Sequence, residues 1–127
     1  YDLDINVDIR ATGSIFYGET TNNADGTAYE KPDYVFETGY NSMDIGEIEK
    51  FLGKEKHLPW VTSAKKEKEE NGEVIDMTRM AFESLEALEN MQLQIIQLNK
   101  QIEKMDEIIH SQQKDIEDLK KLLSKSD

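Results

Sequence analysis

The apolar positions of this chain follow two rhythms. Leu3, Ile5, Val7 and Ile9 alternate with Asp4, Asn6, Asp8 and Arg10, a period of two that predicts a strand with four β-friendly side chains on one face. Ile15-Phe16-Tyr17 follows the Gly13-Ser14 break, and the polar stretch Thr20 to Thr27, with its turn dipeptide Asp25-Gly26, reads as an exposed loop. Tyr34-Val35-Phe36 reads as a short strand after Pro32, which holds Lys31 extended. Helical spacing then takes over. Asp44 can cap free amide groups, with Glu47 completing a capping box, and Ile45, Ile48, Phe51 and Leu52 share one face of a first helix. Gly53 weakens that helix and Pro59 must end it, leaving Lys54 to Trp60 as a loop with an apolar tip. Ala64 to Asn71 is almost wholly polar, either a solvated connector or the first turns of the next helix.

From about Asp76 onward there is no Gly and no Pro. Leu88, Ile95, Ile102, Ile109, Ile116 and Leu123 occupy one heptad core position (a), and Met91, Leu98, Met105, Gln112 and Leu119 the other (d). Upstream, Leu85 suggests a slip in this register. A helix of about 50 residues would be ~75 Å long, too long for the preceding residues to cover, so it needs copies of itself. Without an internal turn, parallel self-association is the economical arrangement. Ile at a with Leu at d suits two strands, whereas Ile108 and Leu122 at g widen the apolar stripe toward three. Gln112 can close a polar ring about the axis and fix register. The stripe leaves both states open, with a slight edge to three.

Composition agrees with a surface-rich assembly. Of 127 residues 37% are apolar and 33% charged, thin for one globular core. All seven glycines lie at or before Gly72 and only Phe82 among the ten aromatics lies beyond Trp60, which places a turn-rich region ahead of a continuous helix. The expected division is 1–43, a β-rich region with an exposed loop at 20–28; 44–72, the short helix, loop and connector; and 73–127, the associating helix. The net charge of −12, without a basic cluster, argues against nucleic acid as partner. No apolar run approaches the ~20 residues that span a bilayer. The absence of cysteine rules out disulfides and thiolate chemistry. A chain opening on Tyr1 is expected to be a piece of a longer product, with any targeting segment outside it.

Lys31-Pro32-Asp33-Tyr34-Val35-Phe36, Tyr40, Ile45 to Phe51, Lys56-His57-Leu58-Pro59-Trp60 and Glu70-Asn71-Gly72 ahead of a long helix form an ordered set. In this order they resemble the C-terminal region of tail-fibre-like proteins of Bacteroidetes-type bacteria and their phages. Val7-Asp8-Ile9-Arg10-Ala11-Thr12-Gly13 likewise resembles the last β-element of such a shaft. The resemblance covers nearly the whole chain. It implies an α+β homotrimer in which a short β-rich shaft end and a small helix precede a long parallel three-stranded coiled coil. Some related fibres end in a self-cleaving chaperone domain that starts Ser-Asp-x-Arg-x-Lys. Here that stretch is Val7-Asp8-Ile9-Arg10-Ala11-Thr12, without the serine nucleophile or the lysine, so the expected role is assembly without cleavage.

Other chemistry is sparse. Asp2, Asp4, Asn6 and Asp8 invite a calcium loop, but position 7 is Val and position 13 Gly, so the acids read as the solvated face of a strand and no metal or cofactor is expected. His57 has no nucleophile placed beside it, and it reads with Leu58, Pro59 and Trp60 as a structural loop. No spacing selects a carboxylate pair for glycoside hydrolysis, and no enzyme is expected. The principal expectation is therefore a structural fibre protein, the trimerisation end of a tail fibre or tail-fibre-like appendage, on a virion or outside the cell. The alternative is a receptor-binding tip or adhesin end contacting a host-surface glycan or protein through Asn22, Asn23, Asp25, Tyr29, Tyr34 and Tyr40.

Overall fold

The computed structural model describes residues 3–16 and 31–126. The chain divides into two units, residues 1–30 and 31–127. In the first, residues 3–16 are irregular and exposed, and no strand forms anywhere among the described residues. This overturns the α+β expectation and the β-rich shaft end: the described fold is helical. Alternation makes a segment fit for a pleated surface, but a strand exists only when its backbone groups find a ladder. Leu3, Val7 and Ile9 remain exposed, with no such ladder beside them.

The second unit holds a single-turn 3-10 helix, Pro32–Phe36, and three α-helices: α1, Ile45–Glu55; α2, Ala64–Asn71; and α3, Met77–Lys125. The strand expected at Tyr34-Val35-Phe36 is thus a helical turn. Lys31 is extended as Pro32 requires, with φ −64° and ψ 128°, but the fixed φ of proline also suits the first position of a helix. A 3-10 turn brings residues i and i+3 to one side, so Pro32 and Val35 are buried together where the turn packs on α3.

Local signals set the helix ends. The Asp44 carboxylate accepts from the Glu47 amide at 2.8 Å, and Glu47 accepts in return from the Asp44 amide at 2.9 Å, the expected capping box. α1 stops at Lys56, in the left-handed conformation at φ 60°, with its N–H donated to the Leu52 carbonyl at 3.2 Å. The polar stretch 64–71 is a separate helix. Ser63 caps it by accepting from the Lys66 amide at 3.1 Å, and Gly72 closes it at φ 71°. Asp76 then caps α3, accepting from the Arg79 amide at 2.9 Å. Its own amide is bound by Glu67 of α2 at 3.0 Å, and Arg79 reaches back to Glu70 at 2.6 Å, so α2 and the first turns of α3 are tied across Gly72.

Candidate functional site

The 49 residues of α3 present two different faces. On one lies the heptad stripe. Leu88, Met91, Ile95, Leu98, Ile102, Met105, Ile109, Ile116, Leu119 and Leu123 are each 43% to 69% exposed, and Gln112 is exposed among them. The same register runs upstream through Met77, Ala81 and Ser84, all exposed, while Leu85 lies beside the stripe and is half-buried. Ile108 and Leu122 add exposed apolar surface on the flank of the stripe.

The other face is clasped. Ala87 and Asn90 are buried there, the latter only 1% exposed, opposite Pro32 and Val35 of the turn. At ~100° per residue, Glu83, Glu86, Ala87, Asn90 and Gln94 centre roughly 130° around the helix from the heptad stripe. Polar bonds set the position of the clasp. Asn90 Nδ2 donates to the Tyr40 hydroxyl at 2.9 Å, and that hydroxyl donates to Glu86 Oε1 at 3.3 Å. The Thr62 backbone N–H donates to Glu83 Oε2 at 2.7 Å and the Thr62 hydroxyl to Glu83 Oε1. Residues 31–62 thus grip about three turns of α3 from the side away from its apolar stripe.

Ionisation follows from this packing. Burial pushes the Tyr40 hydroxyl above its ordinary 10.0, helped by the charge of Glu86, while bonds from Asn90 and Trp60 act the other way. Glu89 lies above the ordinary glutamate value because it is desolvated and faces Asp33, with Lys31 offsetting part of this. Glu70 is held low, chiefly by its hydrogen bond from Arg79.

The expected site residues take different places. The heptad residues from Leu88 to Leu123 share one continuous face. Tyr34 and Tyr40 are half-buried with ring centres 5.9 Å apart, and the Tyr40 hydroxyl is turned onto α3. Asn22, Asn23, Asp25, Tyr29 and the loop 20–28 lie outside the described residues. His57 packs edge-on against Phe51 at 5.2 Å and its Nδ1–H donates to the Leu58 carbonyl at 2.9 Å. Leu58 to Val61 forms a turn around Pro59 and Trp60, closed by a 3.1 Å backbone bond. An open cleft of about 440 Å³ beside it is lined by His57, Trp60, Lys66, Glu83 and Glu86, but Glu83 and Glu86 are committed to Thr62 and Tyr40. No three metal-ligating side chains converge among the described residues, and no described helix is long and apolar enough to cross a membrane.

The clasp escaped the heptad reading. Its signal was the small and polar set Glu83, Ala87, Asn90 and Gln94, spaced four, three and four along a second face. Compared with protein-family models, curated proteins and solved structures, the chain matches none.

Proposed function

We propose that this chain is a structural assembly module: the homotrimerisation end of a fibre-like protein, in which α3 zips to its copies in parallel along the heptad stripe. The observation that carries the reading is that the stripe stays open along α3 while the chain's own clasp takes the other face. The ten apolar core side chains expose roughly 900 Å² per chain, which at about 25 cal/mol/Å² favours association by ~20 kcal/mol per chain as an upper bound. That exceeds the ~4–15 kcal/mol lost in translational and rotational freedom. The exposed g residues Ile108 and Leu122 support three chains over two, because a wider stripe fills a three-stranded core.

The role in a fibre follows from order of events. A zipper built from local contacts forms quickly and raises the effective concentration of everything attached to it. The likeness of the motifs from Lys31 to Gly72 to those of tail-fibre-like proteins supports an appendage of a virion or cell surface as the setting. Light scattering on the full chain tests the reading: three chains per particle are expected, and a monomer at every concentration would overturn it.

A further inference from the structure

Taking the proposed assembly as its premise, we infer that α3 meets its copies parallel and in register, and that the register is locked within one heptad by Gln112 and by an ion pair from Asp115 of one chain to Lys120 of the next. In the register that puts Leu88 at a, Asp115 is a g residue and Lys120 the e residue five positions on. Parallel, aligned helices bring these two positions together across the seam. Neither side chain makes an ion pair with a described residue of its own chain, and both are exposed.

The flanks of the stripe make this pair selective. Of the ten e and g positions from Gln92 to Leu122, only Asp106, Asp115 and Lys120 are charged, and the rest are amides or Ile and Leu. The charge of −12 is carried almost entirely elsewhere, so self-repulsion is kept off the contact and Lys120 is the one cation beside it. A shift of one heptad either way sets Lys120 against Ile108 or Leu122. It also buries the Gln112 amide against Met105 or Leu119, where its donors and acceptor find no partner. An antiparallel pairing joins g to g and e to e, and separates Asp115 from Lys120. Parallel alignment alone satisfies both groups.

The chain has no cysteine, so Ser126→Cys places a single thiol at a d position near the far end of α3. Oxidation of this full-length variant should link two of the three chains of each assembly through residue 126 and leave the third thiol free, with the assembled mass unchanged. Lys120→Asp should weaken association about tenfold, since each exposed pair contributes roughly a factor of two or more and recurs around the axis. The swap Asp115→Lys with Lys120→Asp should restore self-association and yield chains that mix with the unsubstituted protein less than at random. An assembly of correct mass without the 126 cross-link would overturn the register. Free mixing of the swapped and unsubstituted chains, or an unchanged affinity for Lys120→Asp, would overturn the ion pair. A protein that is monomeric before any substitution would instead overturn the assembly itself.

Discussion

Replacing Ile102 by serine isolates one layer of the stripe. Ile102 is 56% exposed, so roughly 100 Å² of apolar surface is available to neighbouring chains, about 2.5 kcal/mol per chain at 25 cal/mol/Å². Three copies lose ~7 kcal/mol together, a factor of about 10⁵ in the association constant. The helix itself is little changed, because isoleucine and serine have similar helix propensities. Sedimentation equilibrium over a range of concentrations should therefore show Ile102→Ser dissociating where the unsubstituted protein stays assembled. Circular dichroism at high concentration should show helix content recovered by mass action. Glu103→Ser, on the next residue but off the stripe, is the control and should leave the mass unchanged. Equal dissociation of both variants, or of neither, would refute the assignment of this face to self-association.

Tyr40→Phe removes the hydroxyl between Asn90 and Glu86 and should destabilise the clasp by about 1 kcal/mol; Trp60, the only tryptophan, reports this as a lower urea midpoint by fluorescence, and an unchanged midpoint would refute it. Acid should act on the unit in two stages. Because the folded pKa of Glu89 is raised, protonation just above the ordinary 4.5 stabilises the clasp; because that of Glu70 is lowered, its tie to Arg79 is lost only on further acidification, below 4.5. A urea midpoint that falls monotonically from neutral pH would contradict the first stage, and Glu89→Gln should abolish it. Gly53→Ala meets nothing within 4 Å and should raise stability by about 0.8 kcal/mol through helix propensity, measured by thermal unfolding; a lowered midpoint would mean that α1 has another partner at that face.

What could be read from the residues was what depends on near neighbours. The box at Asp44 and Glu47 joins groups three residues apart, and the helical spacing of α3 repeats, without Gly or Pro, often enough to specify one long helix. Tyr34-Val35-Phe36 was too short to distinguish a strand from a turn, and the choice was made by α3, which takes Val35 and Pro32 on one side only when the segment coils. Leu3 to Ile9 shows the limit of alternation: it describes a face, not a ladder. Ser63 and Gly72 bracket α2 plainly enough, yet its almost uniformly charged composition hid it. The bond from Asn90 to Tyr40 spans 50 residues, so although Glu83, Ala87, Asn90 and Gln94 mark a second face of α3, what clasps that face became visible only in three dimensions.

The lateral clasp has a mechanical consequence. In the proposed assembly, a pull along α3 loads the heptad layers in shear, so they resist together rather than opening one after another. Residues 31–62 precede α3 in the chain, so a pull arriving from the N-terminal side reaches the helix through them and falls first on the few bonds that Tyr40 and Thr62 make to it. The module would therefore shed its clasp before its helices slid.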